Sequence, residues 1–143
     1  MKNLINLVFL LSVLSVAMLS AEEVSTLVGT WINPEYNATH KTPKFVYSPD
    51  GRTIEAYATT YAKRLSKLYS YTVEETWQDS DGAQWYKVIA TRIQTVENRF
   101  VYLLIRISPD GLTYEEDLIR GNLREFAEEL NPESYFYKKF ERE

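Results

Sequence analysis

Few side chains in this sequence have the type and spacing that chemistry needs. His40 is the single histidine and there is no cysteine, so disulfides, thiol catalysis and thiolate metal sites are excluded. A lone histidine in the polar run Thr39-His40-Lys41 lacks the companions that a metal ion or a catalytic dyad requires. Glu115-Glu116-Asp117 is acidic, but neighbours along a strand point to opposite faces, so the three do not converge on one ion. Neither a glycine-rich phosphate loop nor a nucleophile elbow occurs. The sequence therefore predicts a non-enzymatic protein, with no catalytic residue, no metal and no cofactor.

What remains is aromatic and basic. The chain holds 11 tyrosines, 6 phenylalanines and 3 tryptophans. Tyr69, Tyr71, Trp77, Tyr86, Tyr102 and Tyr114 lie in strand-like runs. Facing inward, they would line a pocket that takes an apolar body and hydrogen-bonds its polar end; otherwise they fill a small core. Arg92 and Arg106 sit mid-strand. An inward arginine asks for a carboxylate, from a ligand or from Glu75 or Glu116; an outward one is an ordinary surface charge. The basic segment Lys63-Arg64-Lys67 either covers a pocket mouth and attracts an anionic head group or is a solvated helix face.

The elements that must position these residues read as strands. Leu27 to Asn33 alternates, with Leu27, Gly29, Trp31 and Asn33 on one face. Gly29 weakens a strand unless something approaches the backbone there, and Trp31 follows on the same side with the largest apolar ring. That pairing suits the closed end of a barrel. Phe45-Val46-Tyr47 and Thr53–Thr59 flank the turn Ser48-Pro49-Asp50-Gly51. Tyr69, Tyr71, Val73, Glu75 and Trp77 alternate with polar residues, and Gln84–Ile93 returns after Asp79-Ser80-Asp81-Gly82. Phe100–Ile107 is the most apolar run. Ser108-Pro109-Asp110-Gly111 repeats the first turn, and Leu112–Leu118 follows it. Helical spacing predicts a short helix over Thr60–Lys67, with an irregular bend as the alternative, and another over Asn122–Leu130. Ser134–Phe140 is read as the last strand, able to close against the first. The expectation is an all-β fold: an up-and-down antiparallel β-barrel of roughly eight strands with one or two short helices.

Lys2, the apolar run Leu4–Leu19 and the small pair Ser20-Ala21 have the order of a secretory signal peptide; a membrane anchor is the competing reading. Residues 1–21 are thus expected to be removed and 22–143 to form one domain, periplasmic or secreted, with no transmembrane span after cleavage. A secreted domain of this size without cysteine points to a bacterial exported protein. The formal charge of −4 argues against nucleic acid as a partner.

Leu27-Val28-Gly29-Thr30-Trp31 resembles the opening motif of lipocalins and lipocalin-like (calycin-type) bacterial domains, in which a glycine–x–tryptophan pattern lies on the first strand and the ring closes the barrel floor. Gly29 and Trp31 carry the match. The resemblance implies an arginine packed over Trp31 from near the end of the barrel, for which Arg120 and Arg142 are the candidates. It also implies a small hydrophobic or amphipathic ligand. A filled barrel working through its surface, as a protein-interaction or envelope-associated module, is the other reading.

Overall fold

The structure is a computed structural model that describes residues 26–33, 44–57, 65–93, 99–119 and 124–143. Eight strands close into one antiparallel barrel in chain order. They are β1 (Gly29–Ile32), β2 (Lys44–Tyr47), β3 (Thr53–Tyr57), β4 (Leu65–Gln78), β5 (Gln84–Arg92), β6 (Phe100–Ile107), β7 (Thr113–Asp117) and β8 (Lys138–Arg142). Closure comes from the pairing of Trp31 with Arg142 and of Ile32 with Glu141. Every strand thereby loses its open edge, which is what a closed barrel achieves.

The up-and-down order puts three hairpin turns at one end. Two of them share the tetrapeptide Ser-Pro-Asp-Gly and make the same hydrogen bonds. The Gly51 and Gly111 amides donate to the Ser48 and Ser108 carbonyls at 3.0 and 2.8 Å. The Asp50 and Asp110 carboxylates accept from the Arg52 and Leu112 amides, each at 3.0 Å. Pro presets the first turn angle and Gly takes φ of 71° and 76°, which a side chain would resist. The third turn, Asp79 to Gly82, joins β4 to β5 at the same end. Residue 26 and the last residue, Glu143, lie there too, because β1 leaves that end and β8 returns to it.

Alternation decides what faces inward. Leu27, Trp31, Tyr47, Tyr86, Val88, Ile105, Tyr114 and Phe140 are buried in one cluster. β4 carries two irregularities, one against β3 where Lys67 pairs with Ala56 but Leu65 with Tyr57, and one against β5. Val73 pairs with Val88 but Glu75 pairs with Lys87, so Glu74 is an extra residue, a β-bulge. Before it the odd-numbered residues face in; after it they face out, since one inserted residue reverses the period of two.

Three expected elements differ. Residues 65–67 are not helical: Lys67 pairs with Ala56 and Leu68 with Glu55, because β3 offers ladder partners that a helix would forgo. The rest of that predicted helix lies outside the described residues, with Lys63 and Arg64. Residues 124–130 are not helical either. Phe126 instead packs on Tyr102 on the outer face of β6, with ring centroids 5.0 Å apart, and the Asn131 amide donates to Asp117 at 2.9 Å. The last strand begins at Lys138 and not at Ser134. Turns over residues 131–137 precede it, in which Ser134 and Tyr137 amides donate to the Asn131 and Ser134 carbonyls. The predicted signal segment, 1–21, and His40 lie outside the described residues.

Candidate functional site

The end with the tight turns is sealed. Trp31 is fully buried, its indole donating to the Leu27 carbonyl at 3.0 Å. The Arg142 guanidinium lies over its ring, 4.2 Å from the centroid. Three of its nitrogens donate to backbone carbonyls: Nε to Gly111 at 2.9 Å, Nη1 to Val28 at 2.9 Å and Nη2 to Thr26 at 2.7 Å. Gly29 makes this approach possible. Its φ is +131°, and a Cβ there would sit 2.7 Å from Arg142 Nη1. Arg142 is thus the arginine of the clasp; Arg120 lies outside the described residues. Tyr114, Phe140 and Phe45 continue the aromatic packing upward from Trp31, with centroid separations of 4.9 to 6.4 Å.

Above this packing the barrel is hollow. A cavity of about 260 Å³ lies toward the opposite end, with apolar walls from Phe45 and Tyr47 on β2, Ile54 and Ala56 on β3, Ala90 on β5, and Val101 and Leu103 on β6. Phe136 and Leu118 also line it. Lys67, Tyr69, Glu116 and Lys138 supply its polar groups.

Glu116 is the unusual member, a carboxyl only 3% exposed. Tyr114 donates to it at 2.9 Å, and the Tyr47 hydroxyl lies 2.7 Å from that of Tyr114. Because the Tyr114 proton points at Glu116, Tyr47 is the donor of the second bond. Burial raises the Glu116 carboxyl above its ordinary range and Asp117 adds to this, while Lys138 and the Tyr114 bond pull the other way. Burial likewise lifts the Tyr47 and Tyr114 phenols well above theirs, with the Glu116 charge adding to it. These phenols stay neutral donors. Chemically the group can hold a proton and exchange hydrogen bonds with a polar atom in the cavity.

The residues expected to line a pocket divide by face. Tyr69, Tyr71, Tyr86 and Tyr114 face inward, but of these only Tyr69 lines the cavity. Tyr71, Tyr86 and Tyr114 belong to the packed cluster. Arg92 also faces inward, its guanidinium 5.9 Å from the Tyr69 centroid.

Trp77, Tyr102 and Arg106 are corrections, since all three point outward. The bulge at Glu74 flips Trp77, which stacks on Trp85 across the outer face with centroids 5.8 Å apart. On β6 it is Leu103, Ile105 and Ile107 that pair with or flank inward residues of β5, leaving Tyr102 and Arg106 outside. Arg106 meets Glu115 at 3.3 Å and Asp79 at 4.0 Å there. The proposed partner Glu75 is outside as well, paired with Lys87 at 3.2 Å. Lys67, Lys138 and Phe136 went unread as interior residues. Extending the alternation of Tyr69 and Tyr71 back by two would have found Lys67, and counting back from Phe140 would have found Lys138.

Comparison with protein-family models, with curated proteins and with solved structures returns no match. Among the described residues no helix is long and apolar enough to cross a membrane, and no three histidine or acidic side chains are grouped to hold a metal ion.

Proposed function

We propose that this chain is an exported, non-enzymatic barrel of lipocalin-like type that binds a small apolar or amphipathic molecule. The observation that carries the reading is the cavity above the Trp31 floor, apolar on most of its wall and polar at a few chosen points, the composition of ligand sites in general. Its volume of about 260 Å³ is just below the ~300–1,000 Å³ of pockets for drug-sized ligands, which favours a single chain or one ring system over a two-chain lipid. The clasp of Gly29, Trp31 and Arg142 supports the lipocalin-like assignment, and the apolar leader supports export to the periplasm or beyond.

The test is displacement of a neutral fluorescent probe, N-phenylnaphthylamine, together with native mass spectrometry of protein purified from the periplasm. Saturable probe binding and a lipid-sized adduct are expected. Ala90→Phe, which pushes a ring into the cavity, should abolish probe binding while the circular dichroism spectrum is kept. A clean apo mass with no saturable probe binding would overturn the reading.

A second reading, action through the outer surface, draws on Trp77 and Trp85. Their rings are nearly parallel, 6° apart, and half-buried on the outside of the barrel, where Lys87 lies 5.7 Å from the Trp77 centroid. Probe binding that survives Ala90→Phe but fails in Trp77→Ala would favour it.

A further inference from the structure

We infer that the cavity selects an anionic amphiphile, with its oxyanion head at the open end between Lys67, Arg92 and Lys138 and its apolar body below. This rests on the ligand-binding reading above and adds the sign of the ligand's charge.

The argument starts from register. The inward positions nearest the open end are Lys67 on β4, two residues before Tyr69; Arg92 on β5, two after Ala90; and Lys138 on β8, two before Phe140. Glu116 on β7 is their one inward carboxyl among the described residues of the strands. The fourth inward cation, Arg142, is committed to carbonyls at the floor. Among the described residues the cavity wall thus holds Lys67, Lys138 and Glu116, with the Arg92 guanidinium against Tyr69 beside it. Charges in such surroundings interact far more strongly than at a surface. An anionic head there is attracted by Arg92 and Lys138; a cationic head is repelled by both.

Arg92 adds a specific demand. Its Nε is buried and has no hydrogen-bond acceptor among the described residues. A guanidinium keeps its charge and its five N–H donors, so a buried N–H without an acceptor is a standing penalty. A carboxylate or phosphate oxygen relieves it in the geometry arginine favours. The same guanidinium lies against Tyr69, whose ring is part of the cavity wall. Lys138 stands over the Phe45 ring, 5.3 Å from its centroid, and Phe45 is also wall. The cationic groups and the apolar surface are thus neighbours, as the two ends of one amphiphile would require.

Further basic groups sit around the same end. Arg99 is exposed and Arg124 lies 5.6 Å from the centroid of Phe100, itself 46% exposed. At the closed end the exposed turns bring Asp50, Asp81 and Asp110.

The experiment titrates the bound N-phenylnaphthylamine of the full chain with decanoate, decyl phosphate, decanol and decyltrimethylammonium, equal chains with different heads. Decanoate or decyl phosphate should displace the probe at concentrations about tenfold below decanol, and the trimethylammonium should displace least. The tighter of the two anions names the head group. Arg92→Gln and Lys138→Met should each weaken the anion about tenfold and leave decanol unchanged, whereas Lys138→Arg should retain it. Equal displacement by decanol and decanoate, or better displacement by the cation, overturns the charge selection while the cavity reading stands. A probe that never binds overturns both.

Discussion

Arg142 and Arg92 both point into the barrel, one at each end, and they are treated differently. Arg142 has three nitrogens on carbonyls and its plane 4.2 Å from the Trp31 centroid. Arg92 rests more loosely on Tyr69 at 5.9 Å, with a buried Nε that no described residue accepts. The floor spends its arginine on closing the cylinder, binding the first strand to the last. The mouth's arginine is tied to the Tyr69 side chain, by ring contact and hydrogen bond, and keeps one buried donor, Nε, without an acceptor among the described residues. The floor is complete in itself and holds the fold, whereas the Arg92 Nε at the mouth is the unmatched donor on which the proposed anion binding draws.

The largest break in that contrast should come from Trp31→Ala. Trp31 is fully buried and touches Arg142 and Tyr114, so its loss should lower unfolding free energy by about 3–5 kcal/mol. Tyr69→Ala, at the open end, should cost about 1 kcal/mol, because its ring already borders empty space. Urea denaturation of the two variants decides. Equal losses would mean that the mouth is as structural as the floor.

How much of this was legible follows the same division. The floor was readable because its signals are local: Gly29 and Trp31 are two residues apart, and Ser-Pro-Asp-Gly writes its turn twice. The strand count followed from those turns. The mouth was only partly readable: Tyr69, Arg92 and Lys67 were named, but its residues come from four strands and their facing depends on register. One inserted residue, Glu74, reversed Trp77 without a Gly or Pro to announce it. On β6, an almost wholly apolar run hid which side was inside, and Tyr102 and Arg106 were assigned to the wrong one. The amphipathic spacing of 122–130 was real but served a different end, laying Phe126 on the outer sheet. Arg120 and Arg142 could not be separated by spacing; the pairing of β8 with β1 separates them.

Gly29→Ala sharpens the account of the floor. A methyl group there faces both an unfavourable φ of +131° and Arg142 Nη1 at 2.7 Å. The expected loss is about 1–3 kcal/mol. In an Arg142→Met background the collision disappears and only the backbone part remains, so the two losses should add to more than the double variant shows. Strict additivity by urea denaturation would remove the guanidinium from the reason for the glycine.

The smallest expected effect has opposite signs at the two ends. At the floor, the Ser48 and Ser108 hydroxyls hold the Asp50 and Asp110 carboxyls below their ordinary 3.8, with backbone amides helping. A carboxyl lowered by folding contributes stability above its unfolded value, and the contribution is lost as pH falls through the folded one. Glu116 at the mouth is raised above 4.5 by burial, so the folded chain holds that proton longer than the unfolded chain does. Its favourable contribution is complete below the unfolded value and is lost as pH rises through the folded one. Glu116→Gln keeps an acceptor for Tyr114 and removes the titration. The variant should match the parent at acid pH, where the carboxyl is protonated in both states, and exceed it near neutrality, seen as a rise in Tm that grows with pH. Asp110→Asn should show the reverse, a deficit near neutrality that closes on acidification. A Glu116→Gln variant less stable than the parent at neutral pH would mean that the carboxylate is held ionised by Lys138, and the mouth would then be internally paired like the floor.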